Sequence, residues 1–317
     1  MGEFELIRKH FLPVAQTVPA AALVLGPGDD CAIQRVPAQH ELVFSIDTMV
    51  EGVHFPTSYP ADRLAWRALA AAASDLAAMG ADPVCFTLAV TLPAAEEPWL
   101  SAFSRGLAAA SQAFGLALAG GDTTRGPLTV TLQVHGVVPM GQALRRDGAR
   151  AGDLICVSGT LGDAGAALDY LATDEPTPDQ SAVLARYHRP RPRLALGQSL
   201  IGRASAAIDV SDGLLADLQH LLDASAVGAT VEPSKIPLSP ALRHLKGEQA
   251  LRYALHSGDD YELCVTLAPA NWQALPDRER EALTVIGTVE SARGLRLQGD
   301  TGAAGDAGGF DHFRRDS

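Results

Sequence analysis

Apolar and polar positions recur along this chain with two periods. Leu42-Val43-Phe44-Ser45-Ile46-Asp47 is a short apolar run that predicts a strand ending on an acid. Asp62 is placed to cap a helix that runs to Met79, with Gly80 as its stop. Val84–Leu92 alternates strictly, with Phe86, Leu88, Val90 and Leu92 on one face and Cys85, Thr87, Ala89 and Thr91 on the other. Pro98–Phe114 reads as a second helix stopped by Gly115, and Leu116–Ala119 as a short strand feeding Gly120-Gly121-Asp122-Thr123-Thr124. Leu128–Val138 alternates again, Leu128, Val130, Leu132 and Val134 against Thr129, Thr131, Gln133 and His135. About four strands and two helices that do not strictly alternate predict an α+β layer, not a doubly wound sheet. The second strand faces carry Thr, Ala and Gln, a composition that suits a dimer interface as well as solvent.

Before these elements, residues 1–25 read as a short helix and an irregular approach rich in Pro and Ala. Pro139–Gly152 is polar and punctuated by glycine, which predicts a boundary between a domain at 1–140 and another at 141–317. Leu154–Ser158 starts the second half as a strand, and Gly159-Thr160-Leu161-Gly162-Asp163-Ala164-Gly165 turns it into a helix, either as a phosphate loop or as a plain strand–helix turn. A helix near 193–202, a strand at Ala206–Asp209, a helix from Gly213 to about Ala224 and a strand at Tyr261–Leu267 follow. Arg189-Pro190-Arg191-Pro192-Arg193 is either a stiff solvated connector or a phosphate contact. From Gly299 onward Gly, Ala and Asp dominate, interrupted by Phe310-Asp311-His312-Phe313, aromatic residues not expected to be spent on solvent.

Composition narrows the class. The 317 residues are 47% apolar, enough for two folded cores. Against 37 acidic side chains stand 25 basic ones, and a net charge of −12 argues against nucleic acid and anionic membranes as partners. Cys31, Cys85, Cys156 and Cys264 lie in or beside apolar runs and form no CxxC pair, as expected of reduced thiols. Met1-Gly2-Glu3-Phe4-Glu5 lacks the basic-then-apolar pattern of a signal peptide, and no stretch has the unbroken apolar length of a membrane span. A cytoplasmic location is the expectation.

The candidate chemistry lies in aspartates. Gly26-Pro27-Gly28-Asp29-Asp30 sets two carboxylates side by side in a turn. Like charges about 4 Å apart repel by roughly 4 kcal/mol at an effective dielectric near 20, a cost that a cation removes. An ordinary surface turn is the alternative. Asp47, Asp75, Asp122, Asp209, Asp212, Asp259 and Asp260 mostly stand where an apolar run meets a glycine or another small residue. Hard cations such as magnesium take oxygen ligands of this kind. The chain has no Walker A sequence, no protein-kinase catalytic loop, no Gly-x-Ser-x-Gly elbow and no zinc spacing among its nine histidines. Dispersed aspartates that hold several magnesium ions, which in turn hold polyphosphate, are physically adequate for phosphoryl transfer.

Six of these motifs, in order, resemble the thiamine-monophosphate kinase family: Gly26–Ala32, Ser45–Thr48, Ser74–Ala81, Gly120–Arg125, Asp209–Gly213 and Ser257–Leu263. The resemblance spans nearly the whole chain. It implies ATP-dependent phosphorylation of thiamine monophosphate to the diphosphate. It also implies a two-domain aminoimidazole-ribotide synthetase-like fold: an N-terminal mixed sheet with helices that pairs in a homodimer, and a C-terminal α/β sandwich. By position it implies magnesium ligands at Asp30, Ser45, Asp47, Asp75, Asp122, Asp209 and Asp212, with ATP contacts at Gly121, Asp122, Arg146 and Ser211. His54, Asp260 and Phe310 would contact thiamine monophosphate, and no general base is implied. Arg145 is an alternative to Arg146. Ile46 departs from the hydroxyl residue common in relatives, so any ligand there is its backbone carbonyl.

Related families fit less well. The aminoimidazole-ribotide synthetases carry a lysine just after the second acidic motif, where this chain reads Thr48-Met49-Val50-Glu51-Gly52. Selenophosphate synthetases need a reactive Cys or selenocysteine ahead of the first acidic motif, and the hydrogenase-maturation relatives a cysteine where this chain has Arg314-Arg315-Asp316-Ser317. A non-catalytic cation- or nucleotide-binding protein is the rival from another class.

Overall fold

A computed structural model describes residues 2–299, which divide into two compact units. Among these residues one unit comprises 2–76 and 81–143, the other 77–80 and 144–299. Phe310 to Phe313 lie outside the described residues.

In the first unit, short helical turns over 3–15 precede a small hairpin of β1 (Leu23–Leu25) and β2 (Ile33–Gln34). The acidic Gly26–Ala32 stretch is the loop of this hairpin, and Gly28 takes a φ of +127°, a conformation side chains resist. A four-stranded sheet follows in the order β3-β6-β4-β5, with β3 His40–Val50, β4 Asp82–Leu92, β5 Ala117–Arg125 and β6 Thr129–Pro139. Only the β4–β5 pair is parallel.

Alternation sorts the sheet as the sequence predicts. Val130, Leu132 and Val134 of β6 and Phe86, Leu88 and Val90 of β4 are buried. Leu42, Phe44 and Ile46 stand on the other face, Phe44 and Ile46 each 63% exposed. The helices Ala61–Ala78 and Glu97–Phe114 approach closely at Gly106, where a Cβ would sit 2.2 Å from the carbonyl oxygen of Asp62. Trp66 and Phe114 lock them edge to face at 5.1 Å.

Two strands are longer than their patterns suggest. β3 continues to Val50, so Asp47 is interior to the strand and does not end it. β5 continues to Arg125, so Gly120, Gly121 and Asp122 belong to the strand and do not merely follow it. Hydrogen bonding to a full-length neighbour overrides the weak strand propensity of glycine here.

The second unit holds a six-stranded sheet in the order β12-β9-β11-β7-β10-β8. Its strands are β7 Leu154–Ser158, β8 Ala204–Val210, β9 Gly228–Val231, β10 Glu262–Leu267, β11 Leu283–Glu290 and β12 Gly294–Leu297. Apolar residues fill both faces. Ile155, Val157 and Ile208 pack with Leu214, Leu218 and Leu222 of the helix Leu214–Ser225. Cys156, Ala207, Leu263 and Val265 pack with Leu144 and Leu200 on the other side. β7 and β8 both pair antiparallel with β10, so they end on the same edge of the sheet.

Candidate active site

In the first unit the structure brings Ser45, Asp47 and Asp75 together. Ser45 and Asp47 are alternate residues of β3, so they share a face. Asp75 comes from the helix Ala61–Ala78, and Ser45 Oγ donates a hydrogen bond to its Oδ2. Burial, reinforced by the charge of Asp75, raises Asp47 to about 6. Two carboxylates and a hydroxyl thus meet in an all-oxygen setting suited to a hard cation.

Asp30 and Asp122, the other candidate acids of this unit, are exposed. Asp30 is exposed in the hairpin loop, with its N–H on Asp29 Oδ1 at 2.8 Å, and the exposed Cys31 follows it. Asp122 is exposed in β5 and accepts the N–H of Thr123 at 2.9 Å. β3 and β5 are opposite edges of the sheet, three strand spacings or about 14 Å apart. The register also puts Asp47, opposite Leu132, and Asp122, opposite Ala89 beside Thr131, on opposite faces. Among the described residues no three His, Cys, Asp or Glu side chains converge as a metal site. Gly121 is required by space: a Cβ there would lie 1.9 Å from the carbonyl oxygen of Leu88. His54 follows β3 and is held by its own turn, Nδ1 accepting the Val50 N–H at 3.0 Å.

The second unit gathers its residues on one sheet edge. Asp209 is buried near the end of β8, and Ser211-Asp212-Gly213 lead into the helix Leu214–Ser225. Asp259 and Tyr261 give their N–H groups to the carbonyls of Ser211 (2.9 Å) and Val210 (2.8 Å), so residues 257–261 are seated on this loop. Asp259 and Tyr261 have positive φ, 65° and 51°, a strained conformation for non-glycine residues. Between them Asp260 is 3% exposed. Its Oδ2 accepts the Gly162 N–H at 2.8 Å, while its Oδ1 is buried and has no hydrogen-bond partner among the described residues. Burial raises Asp260 well above the usual carboxylate range, outweighing the Gly162 N–H and the charge of Arg186.

Gly162 therefore spends its N–H on Asp260, and the helix it opens, Asp163–Ala167, has five residues. Gly159–Gly165 is a plain strand–helix turn. Arg145 is committed to Asp147 by bonds of 2.9 and 2.6 Å. The exposed Arg146 side chain makes no hydrogen bond or ion pair among the described residues, while its carbonyl accepts from Ser225 Oγ at 2.7 Å.

Two groups were not legible as site residues. Glu262 is fully buried between Arg186 and Arg193 and accepts Ser158 Oγ at 2.5 Å. Arg193 is thus an anchor, which corrects the reading of residues 189–193 as a solvated connector. Asp217, on the first turns of the helix Leu214–Ser225, accepts three backbone N–H groups. Its spacing in Asp212-Gly213-Leu214-Leu215-Ala216-Asp217 was a visible signal, masked by an ordinary amphipathic helix pattern.

Both units match one domain class. Residues 28–138 match the AIR synthase related protein N-terminal domain, and 150–300 match the corresponding C-terminal domain. The thiamine-monophosphate kinase of Salmonella typhimurium is 46% identical over 323 residues, with 98% of each chain covered. The crystal structure of the Stenotrophomonas maltophilia thiamine-monophosphate kinase superposes with a TM-score of 0.87 at 43% identity, covering 95% of this chain and 98% of that one. A structure of AaThiL complexed with AMPPCP and TMP superposes at 0.80 with 31% identity, covering 98% and 97%. This chain belongs to the thiamine-monophosphate kinase family.

Proposed function

We propose that this protein transfers the γ-phosphoryl group of ATP directly to the phosphate of thiamine monophosphate, giving thiamine diphosphate. The observation that carries the reading is the Asp47–Asp75 pair, two carboxylates held together with Ser45 in a chain so similar to kinases of that name. Its two carboxylates and the Ser45 hydroxyl are all-oxygen donors and fit magnesium. Asp47, Asp75 and Ser45 would hold such ions, with Asp30, Asp122, Asp209 and Asp212 as further ligands. Magnesium bound there supplies charge neutralisation between two polyanions.

The chain's own residues have simpler tasks. The acceptor is a phosphate monoester with a second pKa of about 6, already ionised at neutral pH, so no side chain has to remove a proton. Arg146, uncommitted and pinned through its carbonyl, is suited to a nucleotide phosphate, with Gly121, Asp122 and Ser211 as the other ATP contacts. Asp260, its carboxyl raised by burial and one buried oxygen unbonded among the described residues, offers a hydrogen-bonding group shielded from water to the thiamine moiety. His54 and Phe310 complete the proposed acceptor contacts. On this reading the domain at 1–140 binds metal and ATP and dimerises, and the domain at 141–317 supplies the rest of the nucleotide and acceptor contacts.

The same sheet supports a homodimer. Leu42, Phe44 and Ile46 form an exposed apolar face, which a second copy covers. Asp47 and Asp122 lie on opposite edges and faces, so a site that uses both takes Asp122 from the partner subunit.

Turnover with a small panel of phosphorylated acceptors tests the function. Thiamine diphosphate should form only with thiamine monophosphate and ATP, and Asp47→Asn should abolish it in a folded protein. ATP hydrolysis indifferent to thiamine monophosphate would overturn the reading. Direct transfer predicts net inversion at a chiral, isotopically labelled γ-thiophosphate, and net retention or a trapped phosphoenzyme would refute it.

A further inference from the structure

The loop Ser211-Asp212-Gly213 is clamped from inside. Its three consecutive N–H groups converge on one oxygen, Asp217 Oδ2, at 3.0, 3.0 and 3.1 Å. Asp217 is 3% exposed, so these bonds do not compete with water. A carboxylate that takes three successive amides fixes three peptide planes at once. From the other side the Ser211 carbonyl accepts the Asp259 N–H at 2.9 Å. A Cβ on Gly258 would lie 2.1 Å from that same carbonyl oxygen, and one on Gly213 would lie 2.8 Å from the His256 carbonyl oxygen. The backbone has no room to shift.

Convergent N–H groups ahead of a helix ordinarily attract a phosphate. Here the chain fills that place with its own acid. The amides of residues 211–213 are therefore unavailable to a nucleotide, and this loop can serve one only through the side chains of Ser211 and Asp212, whose Cα positions Asp217 dictates.

We infer that Asp217 is a positioning residue for the ATP half of the reaction. It sets Ser211 and Asp212 in place through their backbone and touches neither substrate. The inference rests on the proposed roles of Ser211 and Asp212, so the experiment includes both.

Steady-state kinetics are measured for Asp217→Asn, Asp217→Glu and Asp217→Ala beside Ser211→Ala and Asp212→Asn. The amide of Asn keeps an acceptor oxygen in place, and its kcat/KM for ATP should stay within about twofold of the parent. Glu keeps the charge but displaces the acceptor by one methylene. Glu and Ala should lower kcat/KM for ATP and raise the magnesium half-saturation by about tenfold or more, leaving KM for thiamine monophosphate within about twofold, as misplacement of about an ångström does. A merely structural residue would change the melting temperature and the active fraction but not these KM values. If Ala fails to fold, the contrast between Asn and Glu decides. Glu with parental ATP and magnesium dependence overturns the inference while Ser211→Ala and Asp212→Asn remain impaired. If those two are also unimpaired, the assignment of Ser211 and Asp212 is wrong, and the inference falls with it.

Discussion

Arg193 grips Glu262 with two parallel hydrogen bonds, Nε to Oε2 at 2.6 Å and Nη2 to Oε1 at 2.5 Å. Glu262 is wholly buried while Arg193 keeps partial access to water. Removing the arginine therefore leaves the buried acid with only Arg186 and the Ser158 hydroxyl as partners among the described residues. Arg193→Met should cost about 3 kcal/mol, toward the low end for breaking a buried pair. Chemical denaturation reads this as a lower midpoint at an unchanged slope.

The same pair predicts acid lability. Burial alone would raise Glu262, but Arg193, Arg186 and Ser158 outweigh it and hold the carboxyl below its ordinary 4.5. A folded value below the unfolded one means the unfolded chain binds the proton more readily. The contribution is therefore present above the ordinary glutamate range and lost as pH falls through the lower folded value. Melting temperature followed downward from pH 6 should drop more steeply below pH 4.5 in the parent than in Glu262→Gln.

Adjacent arginines should behave differently. Arg145 is tied to Asp147 while Arg146 is uncommitted. Arg146→Ala should raise KM for ATP by about tenfold, the worth of one charge-assisted contact. Arg145→Ala should leave KM for ATP within about twofold, which initial rates at varied ATP will show.

The exposed sheet face and the split of Asp47 from Asp122 can be tested together. Phe44→Glu combined with Ile46→Glu should give a monomer by sedimentation, with turnover lost. Asp47→Asn and Asp122→Asn should each be inactive alone. Unfolded and refolded together, they should recover about one quarter of parental sites, because half the dimers are mixed and each mixed dimer has one intact pairing. No recovery would place both residues in one subunit's site.

Carboxylates proposed as cation ligands should make stability depend on ligand. Magnesium with a non-hydrolysable ATP analogue, at about a hundredfold excess over Kd, should raise the melting temperature by about 5 °C over the EDTA-treated protein. An unchanged curve would speak against the carboxylates as ligands. Asp75→Asn should shrink the increment.

Much of this was legible in the chain. Alternation located β4 and β6 and their buried faces, because a period of two survives in any half-buried strand. Apolar runs with glycine stops found the helices Ala61–Ala78 and Glu97–Phe114. The pattern ends the strand at Ala119, ahead of Gly120-Gly121-Asp122, since glycine weakens every local strand signal and only the pairing with β4 reveals the longer strand. The helix Pro178–His188 and strands β9, β11 and β12 escaped notice because their patterns are short and their burial comes from distant elements. The acids of the site were readable individually. Which of them meet, Asp47 with Asp75 but not with Asp122, is decided by sheet order, which no local window contains.

Cys85, Cys156 and Cys264 are sealed in the two cores, and burial pushes the first two up to about 11 and 12 and raises the third as well. Cys31 is the one exposed thiol of the four. A maleimide dye added near neutral pH would therefore attach at a single position, beside Asp30, with no prior engineering. The protein thus carries a built-in place for a fluorophore on the acidic hairpin loop, and the polarisation or quenching of that dye would report in real time whether the loop takes up a cation.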